Sequence, residues 1–234
     1  MQLNGKVVMI AGGAGALGQT VTPAWVKTGA QVITVDRTVP PQAAGWTAMQ
    51  GDVTDETDVQ RFVREVIQRH GRLDVMINLV GGFATGRVVD TEVALWQRML
   101  AMNVTAAFLL SKAVIPHMTE QGRGRIVHVA AWAAVEPFPG AAAYIVAKSS
   151  LMALIKVLAL ELKGSGVTVN GVLPTTIDTP ANRANMPEVD PSIWTKPESI
   201  AKTLLFLASD EAGQINGATV PVGTHGGAKP VGKA

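Results

Sequence analysis

The chain is 234 residues long, 47% hydrophobic and 16% charged, with a formal net charge of +2. This composition supplies a generous core and excludes a disordered chain. The mild charge, with no Lys/Arg run longer than a dipeptide, points away from nucleic acid and anionic membrane as partners. The lack of cysteine excludes disulfides, thiolate catalysis and cysteine metal sites. Four scattered histidines (His70, His117, His128, His225) predict no metal site.

The opening stretch MQLNGKVVMIAGG reads as a short strand running into glycines rather than as a signal peptide. No stretch approaches ~20 uninterrupted apolar residues, and Leu151–Leu162 is broken by Lys156 and Glu161. The expectation is a soluble cytoplasmic protein forming one domain over residues 1–234.

Strand-like runs alternate with helical runs almost throughout. Lys6–Ala11, Gln31–Val35, Leu73–Asn78, Arg125–Ala130, Val167–Leu173 and Ala218–Val222 are short, often β-branched and bounded by turn residues. Several are apolar without strict alternation, as expected of parallel strands covered on both faces. Helical stretches are predicted near 16–29, 55–70, 92–118, 143–163 and 197–208. This alternation predicts an α/β fold: a doubly wound, parallel, seven-stranded Rossmann-type sheet with helices on both faces.

Three segments read as irregular. Arg37–Trp46 carries Pro40 and Pro41, which argue against a full helix there. Residues 178–197 carry four prolines and are predicted to form a loop covering the substrate. Residues 223–234 read as a flexible tail. Met102–Ile115, with Lys112 as its only charge, and Ala141–Leu162, charged only at Lys148, Lys156 and Glu161, are apolar nearly all round. This predicts a homodimer or homotetramer joined through the helices near 92–118 and 143–163.

After the first strand comes Gly12-Gly13-Ala14-Gly15-Ala16-Leu17-Gly18, opening a helix. Glycines there allow a tight turn and let backbone N–H groups approach a pyrophosphate at the helix N-terminus. As a G-x-G-x-x-G motif the glycines are Gly13, Gly15 and Gly18. Asp36 ends the next strand eighteen residues after Gly18. A carboxylate there binds both ribose hydroxyls and repels a 2′-phosphate, so NAD is expected. NADP is not excluded, because the Arg37 guanidinium could pair with that phosphate.

The only tyrosine, Tyr144, precedes Lys148 by four residues, which places both on one helix face. An ammonium beside a phenol favours phenolate, so the Tyr144 pKa is expected to fall toward neutrality. A phenol poised that way can exchange a proton at physiological pH.

With these motifs in order, the chain resembles the short-chain dehydrogenase/reductases along nearly its whole length. Ala11-Gly12-x-x-x-Ala16-x-Gly18 corresponds to that family's glycine turn, and Asp52-Val53 to its adenine-contacting pair. Asn78-Leu79-Val80-Gly81 stands where the family has Asn-Asn-Ala-Gly, and Asn103-Val104 where it keeps a helix asparagine. Pro174 through Thr179 matches the stretch that closes over the nicotinamide, with Thr175 replacing a glycine. The resemblance implies an NAD(P)-dependent enzyme acting on a small molecule. Its cofactor contacts would be Gly12, Gly15, Leu17, Gly18, Asp36, Arg37, Asp52, Val53, Gly81, Lys148, Pro174, Ile177 and Thr179. Tyr144 would be the general acid/base. Lys148 would lower its pKa and hold the nicotinamide ribose, and Asn103 would kink its helix and place a proton-relaying water.

The family's serine, thirteen residues before the tyrosine, is here Ala131. Losing one transition-state donor costs ~10²–10³ in rate where the substrate needs it. Thr175, Thr176 or a water could replace it, or the substrate could do without it. The segment Leu173–Pro180 with Asn182-Arg183, Met186-Pro187, Asp190 and Trp194-Thr195 is similar to the dihydropteridine reductase branch, which also lacks the serine and uses NADH. That similarity implies hydride transfer to a conjugated acceptor such as a quinonoid dihydropteridine. Trp132, Phe138, Met186 and Trp194 are candidate pocket walls. His128 falls on the opposite strand face from Ala131 and reads as structural. The alternatives are an ordinary carbonyl or alcohol oxidoreductase, and a nucleotide-binding protein of feeble turnover.

Overall fold

The computed structural model describes residues 3–39 and 45–223. Its strands are β1 (Val7–Ala11), β2 (Gln31–Asp36), β3 (Thr47–Gln50), β4 (Val75–Asn78), β5 (Gly124–Val129), β6 (Val167–Pro174) and β7 (Thr219–Val222). They form one parallel sheet of order β3-β2-β1-β4-β5-β6-β7. The expected seven strands are present, and β3 is the one for which the sequence offered no boundaries. Every residue of β1, β4 and β6 is buried, which explains their unbroken apolar runs.

The helices are α1 (Gly18–Val26), α2 (Glu56–His70), α3 (Val93–Leu100), α4 (Ala106–Glu120), α5 (Ala142–Glu161), α6 (Pro180–Asn185) and α7 (Pro197–Ala208). Side-chain alternation on the strands divides the core in two. Val7, Met9 and Ala11 pack with residues of α2, α4 and α5, while Val8 and Ile10 pack with residues of α1 and α7. Local signals set the ends of α2: the Asp55 carboxylate accepts from the Asp58 N–H, and Gly71 closes the helix at φ 72°.

Two expectations need correction. The helix predicted over 92–118 is divided by a π-helical turn at Ala101–Thr105, which contains Asn103. The loop predicted over 178–197 is partly helical, with α6 and a 3₁₀ turn at Pro191–Ile193. Thr179 and Asp190 cap those turns through their side chains, and Pro180 and Pro191 start them, so the prolines there initiate helix rather than prevent it. Pro40, Pro41 and residues 224–234 of the predicted tail lie outside the described residues.

Val93–Glu120 and Ala142–Glu161 are long and apolar enough to cross a membrane by length and composition. In this fold each packs on the sheet, α4 against β5 and α5 against β6, which accounts for one apolar side of each.

β1 sits between β2 and β4, so the chain reverses its direction of travel across the sheet at that point. In open α/β sheets the ligand crevice lies beyond the carboxyl ends of the strands at such a switch. Register brings Ala11 level with Val35 on one side and Asn78 on the other. The glycine turn, Asp36 and the Leu79–Gly82 segment therefore meet at one sheet edge.

Candidate active site

The glycine turn is built by steric need. Gly12 has φ 85°, and a Cβ there would lie 3.1 Å from the Val80 nitrogen. A Cβ on Gly18 would collide with the Gly12 and Gly13 carbonyl oxygens, and one on Gly13 with the Thr34 side chain. At Gly15 the nearest atom to an added Cβ is the Gly12 oxygen at 3.3 Å. Leu17 precedes α1 without any side-chain cap. The Gln19 N–H donates to the Gly15 carbonyl, and the Thr20 and Val21 N–H groups donate to that of Leu17. The N–H groups that face an outside acceptor are therefore those of the turn itself, at Ala16 to Gly18. These residues fit a dinucleotide pyrophosphate.

Asp36 closes the turn from the side, its Oδ2 accepting from the Ala14 N–H at 2.8 Å. Burial raises its carboxyl above the usual carboxylate range, against the lowering effect of the Ala14 and Gly13 N–H groups. Arg37 is exposed, and its carbonyl accepts from Gln50 Nε2. Asp52 holds its own bend, with Oδ1 accepting from the Thr54 N–H and hydroxyl, and Val53 is buried.

Asn103 organises the opposite side. Inside the π-turn its Nδ2 donates to the carbonyls of Gly82 and Met99, both at 3.0 Å, while its Oδ1 accepts from the Gly82 N–H at 3.2 Å. The widened turn lets one side chain serve both its own helix and the segment after β4. Between them lies Gly81, where a Cβ would stand 2.8 Å from Asn103 Oδ1 and 3.1 Å from Lys148 Nζ. Asn103, Gly81 and Lys148 are thus brought together, so closely that only a glycine backbone fits between the amide and the ammonium.

Tyr144 and Lys148 both rise from the first half of α5, but the expected pKa relation between them is corrected. Lys148 Nζ donates to the Val129 carbonyl at 2.8 Å, and burial lowers its pKa to about 8. Burial likewise pushes the Tyr144 phenol up to about 12 rather than down toward neutrality. The i, i+4 spacing supplied a shared face, but desolvation of both groups outweighs their attraction and favours both neutral forms.

Sequence reasoning missed Phe83. Its ring meets that of Tyr144 edge to face, with centroids 4.9 Å apart and planes at 81°, and it remains 58% exposed. The one available signal was an aromatic directly after Gly81-Gly82.

Ala131 is 5% exposed with extended backbone, so a methyl group occupies the place of the family's hydroxyl. Thr175 does not replace it. Thr195 Oγ1 donates to the Val222 carbonyl at 3.0 Å, so in its 2.7 Å bond with Thr175 the Thr175 hydroxyl is the donor and its proton is engaged. Thr176 is exposed, and its carbonyl accepts from the Thr195 N–H.

Pro174 ends β6, Ile177 bridges to Thr195, and Thr179 caps α6 through its hydroxyl. Asp178 ties the loop together, receiving Arg183 Nε at 2.6 Å, Arg183 Nη2 at 2.9 Å and Lys196 Nζ at 2.7 Å, which hold its carboxyl far below the usual range. Of the candidate pocket walls, Phe138 and Met186 are partly exposed. Trp132 packs partly against the core while its Nε1 donates to Glu136, and Trp194 is buried. His128 is fully buried. Because the Ser111 hydroxyl donates to the Ala107 carbonyl, His128 Nε2–H donates to Ser111, and Nδ1 faces Asn78 Nδ2 at 3.5 Å. Burial lowers its pKa to about 3, so it stays neutral.

A parallel sheet with a glycine turn at its switch point, beside a Tyr/Lys pair and a helix asparagine, defines a dinucleotide-dependent oxidoreductase. Comparison with known proteins agrees. A family model described as enoyl-(acyl carrier protein) reductase matches residues 12–225. A 3-oxoacyl-(acyl-carrier-protein) reductase of Thermotoga maritima is 30% identical over 240 residues, covering 95% of this chain and 98% of its own. A meso-2,3-butanediol dehydrogenase of Serratia marcescens is 31% identical over 238 residues, covering 95% and 94%. The solved structure of ligand-free aldohexose dehydrogenase from Thermoplasma acidophilum matches with a TM-score of 0.86 at 27% identity, covering 94% and 92% of the two chains. The chain belongs to the short-chain dehydrogenase/reductase family and is an NAD(P)-dependent oxidoreductase.

Proposed function

We propose that this enzyme reduces a conjugated, electron-poor acceptor, of which a quinonoid dihydropteridine is the best representative. The observation that carries this reading is the Ala131 methyl at the hydroxyl position, together with the engaged Thr175 proton. A lone ketone needs its oxygen polarised before it accepts hydride. A conjugated ring spreads the developing charge itself and needs one proton donor. The bound nicotinamide supplies the hydride. The Tyr144 phenol, held protonated by its raised pKa, supplies the proton, so that hydride plus proton convert a quinonoid dihydropteridine to the tetrahydro form. Lys148 and Asn103, flanking Gly81, hold the ribose side and the route by which Tyr144 is reprotonated.

A coupled assay with quinonoid dihydropterin and NADH tests the reading: NADH oxidation is expected, and none by the wild type refutes it. Tyr144→Phe is expected to lower kcat by about 10²–10⁴. NAD is the proposed cofactor, supported by Asp36 at the rim of the glycine turn; tighter binding of NADPH than NADH would refute that choice.

A second reading, an ordinary carbonyl or alcohol oxidoreductase, draws support from relatives named as a 3-oxoacyl reductase and a butanediol dehydrogenase. Under it, Ala131→Ser raises turnover of simple ketones by about 10² or more. Under the first reading it does little for the conjugated acceptor. We also propose a homodimer or homotetramer through α4 and α5, which leave Phe108, Val146, Val157 and Leu160 exposed.

A further inference from the structure

Phe83 is a large aromatic left 58% exposed in a protein that buries most of its big apolar side chains. It does not sit on a free loop. Gly82, just before it, is held by Asn103 through both its N–H and its carbonyl, and the Gly86 N–H donates to the Gly140 carbonyl at 2.7 Å. The anchors are thus the π-turn on one side and the entry to α5 on the other. Between them the ring is pinned edge to face against Tyr144. Fixing an exposed aromatic at both flanks, against the candidate proton donor, costs apolar surface in water and ordering of the segment. A ligand that covers the ring offsets both.

We propose that Phe83 is a specificity-determining residue: its exposed surface is the platform on which a flat, conjugated acceptor stacks beside the Tyr144 phenol. The inference deepens the proposed function and rests on it for the identity of the acceptor. Stacking is tolerant of ring substituents, because every π system offers a face, and it rewards flat molecules over compact aliphatic ones. A site that orients its substrate by an aromatic face has correspondingly less use for a hydroxyl at Ala131.

The test compares wild type, Phe83→Ala, Phe83→Leu and Phe83→Trp in two measurements. The first is the ratio of kcat/KM for quinonoid dihydropterin to that for butane-2,3-dione, a small aliphatic diketone. The ratio is expected to fall about tenfold in Phe83→Ala, less in Phe83→Leu, and to stay near the wild-type value in Phe83→Trp, which keeps a π face. The second is calorimetric binding of pterin, a flat ring that is not reduced, to the enzyme loaded with NADH. Its Kd is expected to rise about tenfold in Phe83→Ala. A parallel loss for both acceptors, or equal pterin binding by wild type and Phe83→Ala, would reduce Phe83 to a brace for Tyr144 and overturn the proposal. So would the absence of pterin binding by wild type. If dihydropterin is not reduced while pterin binding still depends on Phe83, the proposed substrate falls and the stacking platform stands.

Discussion

Lys148 carries the sharpest residue-scale consequence. Its pKa is lowered from an ordinary 10.5 to about 8, because burial penalises the ammonium. At pH 8 and below, the folded protein carries the cost of a buried charge that the unfolded chain does not. Between about 8 and 10.5 the unfolded state binds more protons, so stability rises with pH across that window. Lys148→Met removes the titration. The melting temperature of wild type relative to this variant should therefore climb from pH 7.5 to 9.5, and a constant difference would show that Lys148 is not titrating there. Gly81 makes a second residue-scale prediction. Gly81→Ala puts a methyl against Asn103 Oδ1 and Lys148 Nζ and should displace both side chains, lowering kcat/KM by more than about tenfold and the melting temperature with it. Undiminished activity in Gly81→Ala would mean that turnover does not depend on where Asn103 and Lys148 are held. The Tyr-x-x-x-Lys pair and the glycines were legible in the sequence because each is a local pattern with a local geometric meaning. Phe83 was not, since its partner Tyr144 lies sixty-one residues away and only the packing of α5 against the post-β4 segment joins them.

At the scale of elements, the π-turn is the piece on which the site depends. It interrupts an otherwise continuous helix so that Asn103 can bond the Gly82 N–H and carbonyl while still reaching the Met99 carbonyl. Asn103→Ala leaves those groups unpaired, and each buried one costs about 1–3 kcal/mol. Calorimetry should show a clear drop in melting temperature, with a larger relative loss of kcat than of NADH affinity. If kcat is untouched, the turn serves stability alone. An asparagine could be placed on this helix from sequence, but the extra residue in the turn could not, because α- and π-windings share the same apolar pattern and only the tertiary partner selects between them. The proline-rich loop shows the converse. Its prolines read as breakers, yet Thr179 and Asp190 are caps standing immediately before Pro180 and Pro191 at first helical positions. The same residue type stops a helix in its interior and starts one at its N-terminus.

For the whole molecule, the apolar outer faces of α4 and α5 decide the quaternary prediction. Leu160 is 74% exposed and Val157 49%, both on a helix that already buries its other side on β6. Leu160→Glu with Val157→Glu should shift the sedimentation profile toward a smaller species, whereas an unchanged profile would exclude this face as the contact. The sheet order, with β1 between β2 and β4, also explains why residues from distant parts of the chain share one site. Gly12, Asp36, Asn78 and Pro174 all end or follow strands at one edge, so a crevice forms without any one segment encoding it.

By itself the sequence determined the alternation of strands and helices, the glycine turn with Asp36, the shared face of Tyr144 and Lys148, and the missing hydroxyl at Ala131. These follow from periodicity, steric freedom and side-chain chemistry, which act over a few residues. Only the tertiary structure decided that Lys148 turns to the Val129 carbonyl, that the Tyr144 pKa rises rather than falls, and that the Thr175 proton is engaged by Thr195. Only it brought Phe83 against the phenol. The reason is physical: desolvation and hydrogen-bond partnership sum over everything packed around a group, and that sum exists only once the chain has folded.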